Sequence, residues 1–145
     1  MEANWKWAQE YWLRKSKEFR LDAWSLKQNK RKTCLAICNY TKKEISISIY
    51  YLSGKLCTLK SLRNTILHEI AHALAGKAHK HDLYWKAIAV SIGCDGEVCG
   101  KMDSPPRNWL MYCPKKCFNK EYYREPNIKN KVCLKCKSFV LKKKL

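Results

Sequence analysis

The stretch LHEIAHALAG, residues 67–76, constrains the fold of this 145-residue chain more than any other. His68 and His72 lie four residues apart, so on a helix their imidazoles share one face about one turn apart. Together with Glu69 they form the pattern HExxH, in which two histidines bind one zinc ion and the glutamate reaches a metal-bound water. The stretch therefore predicts a helix with a metal on one side, and Glu69 is the candidate general base.

Apolar residues around the motif repeat at four-residue steps, which predicts one buried side for this helix. They are Leu62, Ile66, Ile70 and Leu74. Thr58 or Ser61 can cap its start, and Gly76 is well placed to end it. A following helix is predicted from about residue 82 to residue 92. An amphipathic N-terminal helix is predicted over residues 4–21, with Trp5, Trp12 and Phe19 at seven-residue steps.

Three segments between these helices are predicted to be strands, namely residues 23–28, 33–40 and 44–51. The last is the clearest, because isoleucines alternate with polar residues at positions 45, 47 and 49. The short connections between the segments predict an antiparallel arrangement. The expected fold class is α+β, with an N-terminal helix, a three-stranded antiparallel sheet, the HExxH helix and a following helix.

A catalytic zinc usually takes three protein ligands, so a third histidine is needed. The two candidates are His79 and His81. The metzincin pattern places its third histidine six residues after the second, and His79 comes one residue too late for that spacing. Spacing alone leaves both candidates open.

The stretch HEIAHALAG, followed by HDLYWKAIAVSIGC, resembles the SprT-like family, which includes the Spartan proteases. In that family a histidine follows HExxH after a short loop and precedes Trp or Phe by four residues, as His81 precedes Trp85. The resemblance implies a zincin-like metalloprotease domain with catalytic Glu69 and three zinc ligands: His68, His72 and His81. Asp82 stands where the family usually has Gly, and it can cap the next helix or accept a hydrogen bond from a ligand histidine.

Four of the nine cysteines have the spacing of a zinc site. A C-x3-C pair and a C-x2-C pair, separated by fifteen residues, predict a small zinc ribbon over residues 107–145, after a metalloprotease domain at residues 1–106. The predicted ligands are Cys113, Cys117, Cys133 and Cys136. Such a segment has little core, so the structural metal supplies its folding energy. No site is assigned to the other five: Cys34, Cys38, Cys57, Cys94 and Cys99.

The formal net charge of +18 is concentrated near the C-terminus, where residues 101–145 hold 13 Lys and Arg against three Asp and Glu. This density favours a nucleic-acid partner over a merely solvated surface. The cations proposed to meet phosphates are Lys115, Lys116, Lys120, Arg124, Lys129 and Lys131. Trp109 and Tyr112 can stack on unpaired bases, although packing around the zinc explains these aromatics equally well.

The resemblance implies a DNA-dependent zinc endopeptidase that cleaves proteins crosslinked to or tightly bound on DNA, with one catalytic and one structural Zn²⁺. Its expected partners are DNA of single-stranded character and the proteins on it. The alternative is a non-proteolytic zinc-ribbon protein that binds nucleic acid or acts in transcription; an intact Glu69 argues against it, since a structural zinc needs no general base. With no secretory signal and no long apolar run, we expect a monomer inside the cell, in cytoplasm or nucleus, without a membrane partner.

Overall fold

The chain divides into two units between Ser104 and Pro105, and the computed structural model describes residues 1–98 and 100–145. Cys99 lies outside the described residues. Within the described part, each helix is too short or too polar to span a bilayer. The eight cysteines that the structure describes are all free thiols, so none of them forms a disulfide.

The first unit, Met1–Ser104, mixes helices with one small sheet, which confirms the α+β prediction. Its three predicted helices are present as α1, α3 and α4. Its elements in chain order are α1 (Glu2–Glu18), β1 (Ser25–Asn29), β2 (Ala36–Asn39), β3 (Glu44–Ser48), α2 (Ile49–Ser53), α3 (Leu59–Ala75) and α4 (Leu83–Ser91).

The prediction of an antiparallel three-stranded sheet is wrong in one of its two pairings. The strand order is β1-β3-β2, and β1 runs parallel to β3, with Ser25 opposite Glu44. A tight turn, in which the Asn39 side chain accepts the Lys42 N–H, joins β2 to β3 and makes that pair antiparallel. This turn fills one edge of β3, so β1 takes the other edge. In a meander β1 would pair with β2 instead; the direction of β1 is the same in both arrangements, but here its neighbour is the strand that runs parallel to it.

The third predicted strand also ends early, because residues 49–51 begin α2 instead. Ser48 is fully buried, and its hydroxyl accepts the backbone N–H of Tyr50 as an N-cap. Serine is among the preferred residues at that position, since its short side chain reaches the unpaired N–H groups of a first turn. The local cap therefore outweighs the strand propensity of Ile49 and the two tyrosines.

The core of the first unit lies where α3 packs against the sheet and against α1. The predicted stripe of α3 faces it, with Leu62, Ile66 and Ile70 fully buried and Leu74 partly buried. Ile45 and Ile47 of the central strand are fully buried as well. Burying each such side chain stabilises the fold by about 1.5–3 kcal/mol, so α3 is held firmly along its length.

The second unit, Pro105–Leu145, is an antiparallel sheet with strand order β5-β4-β6. Its strands are β4 (Trp109–Tyr112), β5 (Asn119–Tyr122) and β6 (Leu141–Lys144). The buried residues are few, namely Cys113, Pro126, Cys133 and Val140. A unit this small with so little apolar burial normally needs a metal or a disulfide to hold its fold.

Candidate active site

Helix α3 carries the HExxH motif in its C-terminal half and is anchored firmly at its start. Thr58 and Ser61 form a capping box, in which each side chain accepts the backbone N–H of the other. The cap satisfies two donors that a helix start leaves unpaired. With Leu62 and Ile66 packed in the core, the helix fixes the positions from which His68 and His72 project.

The segment after α3 turns back to bring a third histidine to the first two. Gly76 ends α3 with φ of 90°, a left-handed conformation that glycine adopts without strain. Asp82 then starts α4, because its carboxylate accepts the backbone N–H of Trp85. His81 precedes this cap directly, so the start of α4 determines where its imidazole lies.

The three histidines converge on one point. The Nε2 atom of His68 lies 3.0 Å from that of His81 and 3.2 Å from that of His72, and the His72–His81 separation is 3.1 Å. A tetrahedral zinc with bonds of about 2.0–2.1 Å keeps its ligand nitrogens about 3.3 Å apart, so the donor set fits this ion.

Hydrogen bonds alone do not account for this triangle. A neutral imidazole nitrogen either donates one proton or offers one lone pair, so three Nε2 atoms cannot all be paired with one another. A single cation can accept all three lone pairs. The arrangement therefore suits a metal ion held by three histidines.

The Trp85 side chain packs against all three imidazole rings. It is fully buried, and its ring lies 4.6 Å from His68, 5.1 Å from His72 and 4.7 Å from His81 between centroids. The residue that the family places four positions after the third histidine thus contacts every member of the set. Its packing restricts the ring rotations that would separate the donor nitrogens.

The surroundings of His68 and His72 favour their neutral imidazoles. Burial lowers the pKa of His68 and of His72 to about 4, and the neighbouring imidazoles contribute to the lowering of both. The backbone of Glu97 lies within hydrogen-bonding reach of His68 and has the opposite, weaker influence. A metal ligand must be deprotonated, so low pKa values reduce the competition of protons with a cation.

Glu69 follows His68 on α3 and is a buried carboxylic acid. It is 7% exposed, and no described residue donates a hydrogen bond or forms an ion pair with its carboxylate. Burial raises the pKa of Glu69 to about 8. A divalent cation at the three histidines would oppose this effect and favour the carboxylate, the form that a general base requires.

Two residues near Glu69 had no role predicted from the sequence. Cys38 on β2 and Tyr40 just after it form a hydrogen bond with each other, and the charge of Glu69 acts on both. Burial raises the pKa of each to about 12, with the Glu69 charge contributing, so both keep their protons. No sequence signal places them here, because their position depends on how β2 packs on α3.

His79 lies outside the three-histidine set. Its Nδ1 atom is 2.7 Å from Asp82 Oδ2, and its ring lies 4.3 Å from that of Tyr84. Asp82 therefore fulfils the first of the two roles considered for it, as the N-cap of α4, and its second partner is a histidine. That histidine is not one of the three whose donor nitrogens converge.

We expect His81→Ala to lower the zinc content of the protein by one ion, whereas His79→Ala leaves it unchanged. Removing one of three ligands should weaken binding by more than the roughly 10- to 100-fold typical of an outer-shell partner. Metal analysis after gel filtration measures the stoichiometry. The reverse result, with the ion absent only from His79→Ala, would assign the third ligand to His79.

The second unit brings its four predicted cysteines together. The sulfur atoms of Cys113, Cys117, Cys133 and Cys136 all lie within 4.8 Å of one another. The Cys113–Cys136 pair is 3.4 Å apart, much longer than the roughly 2.05 Å of a disulfide and near the 3.8 Å or so expected between thiolates on one tetrahedral zinc.

Each cysteine pair sits on a tight turn. The Lys116 N–H bonds the Cys113 carbonyl, and the Lys137 N–H bonds the Cys133 carbonyl. Both lysines have positive φ, near 60°. Hydrogen bonds from Ser138 lower the pKa of the Cys136 thiol to about 6, which favours the thiolate that binds metal.

The residues predicted to contact nucleic acid are unequally accessible. The six cations Lys115, Lys116, Lys120, Arg124, Lys129 and Lys131 are all exposed. Trp109 and Tyr112 are half-buried in β4, and the Lys143 ammonium lies 5.9 Å from the centre of the Tyr112 ring. The most exposed aromatic side chain of this unit is instead Phe139, at 70%. Phe139 alternates only with the buried Val140, and such a short pattern of exposed and buried residues does not single it out in the sequence.

Comparison with known proteins assigns a family. No curated protein and no solved structure shows significant similarity to the chain. The model of the SprT-like family matches residues 4–104, which include α1 to α4, the three converging histidines and Glu69. A match over most of the chain, which contains this site, shows that the protein belongs to the SprT-like family.

Proposed function

We propose that this protein is a zinc-dependent endopeptidase that cleaves proteins crosslinked to or tightly bound on DNA. Membership of the SprT-like family suggests a metalloprotease-related function. The observation that carries the proposal is the convergence of three Nε2 atoms within 3.2 Å of one another, next to the buried carboxylate of Glu69.

The chemistry follows from the roles that these groups can fill. A zinc ion at the three histidines would polarise a peptide carbonyl and acidify a bound water. Glu69 accepts the proton of the attacking water and then delivers it to the leaving amine. Trp85 holds the imidazoles in place, so little reorganisation is needed when the substrate arrives.

The second unit is proposed to hold the nucleic acid. A groove of about 490 Å³ on this unit is lined by Lys116, Lys143, Tyr112 and Phe118, among others. Cations that follow a backbone beside aromatic rings are typical of single-strand binding, because phosphates meet the charges and bases stack on the rings. Phe139, which is exposed, adds a further stacking surface.

Control by DNA makes physical sense for such an enzyme. A protease that cleaves many different sequences must be controlled so that it acts only on its proper substrates. Binding to DNA raises the effective concentration of any protein attached to the same strand, with no need for contacts specific to that protein. DNA–protein crosslinks are therefore the proposed substrate class.

The test is cleavage of a basic protein, presented either crosslinked to single-stranded DNA or uncrosslinked, with and without added free DNA. We expect cleavage only where DNA is present, and no stimulation by heparin or polyglutamate at equal charge. Stimulation by any polyanion would indicate an ordinary peptidase with a basic surface. No cleavage by protein shown to hold two zinc ions would favour the non-proteolytic nucleic-acid-binding alternative.

A further inference from the structure

The first unit contains a cleft that lies away from the three histidines. Its volume is about 470 Å³, and none of the three converging histidines lines it. It is lined by residues of the N-terminal half of α3, among them Lys60, Arg63 and Thr65, and by residues 93–95 and 100–101. The family assignment and the proposed chemistry leave this cleft unused.

Three cations surround the cleft, namely Lys60, Arg63 and Lys101. All three are exposed, and none forms an ion pair with any described residue. The one carboxylate in the lining is Asp95, and its Oδ1 atom accepts the backbone N–H of Glu97. The cleft therefore has an excess of positive charge that the protein itself does not neutralise.

Two of these cations lie where positive charge is unfavourable in the free protein. Lys60 is in the first turn of α3, Arg63 lies three residues later on the same face, and that first turn contains no acidic residue. The start of a helix carries a partial positive charge and normally favours carboxylates. An anion bound here would interact favourably with the cations and with the helix start together.

The hydroxyls of Thr58, Ser61 and Thr65 in the cleft are already hydrogen-bonded. The Thr58 hydroxyl accepts the Ser61 N–H, the Ser61 hydroxyl bonds that of Tyr51, and the Thr65 hydroxyl donates to the Ser61 carbonyl. Recognition therefore falls to the three cations, whose long side chains suit charged oxygens better than neutral ligands. Phosphate is the group that pairs with such cations without requiring further donors.

We propose that this cleft binds phosphates of a single-stranded nucleic acid, which gives the first unit a nucleic-acid contact of its own. The identity of the ligand rests on the proposed function, whereas the preference for phosphate rests on the cleft alone. An open cleft with unpaired cations from two separate segments suits a strand that passes through it. A free nucleotide offers the same chemistry, and the experiment below separates the two.

The proposed contact is connected to the metal site through one loop. The Asp95 N–H bonds the Asn64 side chain in the cleft wall, and the backbone of Glu97 lies within reach of His68. A strand held against Lys101 and Arg63 would restrict the loop that contacts this metal ligand.

The test compares two triple variants of the full zinc-loaded chain. The cleft triple is Lys60→Ala, Arg63→Ala and Lys101→Ala; the control triple, which removes the same charge from the same unit, is Lys6→Ala, Lys17→Ala and Lys42→Ala. Binding of labelled oligothymidine is measured by anisotropy over a range of salt. We expect the cleft triple to bind at least about tenfold more weakly, with a salt slope lower by roughly 0.7 for each phosphate that is no longer neutralised. The control triple should change much less.

A second measurement needs no variant. Photocrosslinking of the wild type to oligothymidine, followed by peptide mapping, should identify peptides that contain Lys60, Arg63 or Lys101. Zinc content and thermal unfolding check that the cleft triple is folded. Adenosine monophosphate and inorganic phosphate serve as competitors, and polyglutamate is tested as an acidic peptide.

Equally weakened binding in the two triples, or crosslinks confined to residues 105–145, would overturn the proposal while the proposed function stands. A cleft triple that no longer binds the mononucleotide or polyglutamate but still binds oligothymidine would also overturn it, in favour of those ligands. If the wild type binds no oligothymidine, both the cleft proposal and the proposed function fail.

Discussion

Replacing Glu69 by glutamine is expected to slow peptide-bond cleavage by about 100- to 10,000-fold, the usual contribution of a general base. Glutamine has the same shape and fits the same buried space, but it cannot accept the proton of the attacking water. Glu69 is not one of the three converging ligands, so the variant should still hold two zinc ions. The decrease should appear in kcat with little change in KM, since the proton transfer belongs to the transition state.

A matched control for this variant is Glu97→Gln, which makes the same change at an exposed carboxylate whose backbone lies near the metal site. Cleavage of the DNA-crosslinked substrate and zinc content are measured for both variants. We expect Glu97→Gln to retain activity close to that of the wild type. Comparable activity of Glu69→Gln and the wild type would show that Glu69 is not the base and would favour the binding-protein alternative.

Replacing Cys133 by serine is expected to unfold the second unit and to release one zinc ion. The unit buries only four residues, two of which are cysteines of the proposed site. Structural zinc contributes roughly 10–16 kcal/mol of apparent binding free energy in small zinc domains, far more than this core can supply. Removal of one thiolate therefore takes away most of the stability of this unit.

The measurements are zinc content, limited proteolysis and backbone amide dispersion in NMR spectra. Residues 105–145 should become sensitive to protease, while the thermal unfolding of the first unit stays within a few degrees of the wild type. Cys34→Ser serves as the control, because Cys34 is exposed and outside the cysteine cluster. A second unit that stays folded in Cys133→Ser, with both zinc ions bound, would disprove the structural role of this metal.

Much of the site could be predicted because its signals are local. The period of α3, its cap at Thr58 and its end at Gly76 depend on neighbouring residues, and the structure confirms all three. Spacing indicated the first two histidines, but not the third. The choice of His81 came from the resemblance to a family, since the position of an imidazole after a loop depends on how the chain turns at Asp82.

The features that could not be predicted all depend on distant parts of the chain. The partner of β1 depends on which of the two free edges of the β2–β3 pair it joins. The approach of Cys38 and Tyr40 to Glu69 depends on the packing of the sheet against α3. The basic cleft joins residues near position 60 with Lys101, which no local pattern connects.

The parallel pairing of β1 with β3 also affects how quickly the first unit can fold. In a meander each strand pairs with the next one, so every step closes a short loop. Here β1 can pair only after β3 has formed, and the segment between them, which contains β2, is the loop that this pairing closes. Pairings between distant segments cost more chain entropy before their contacts form, and they slow folding relative to local ones. The edge of β1 is therefore left unpaired for longer during synthesis than a simple hairpin order would require.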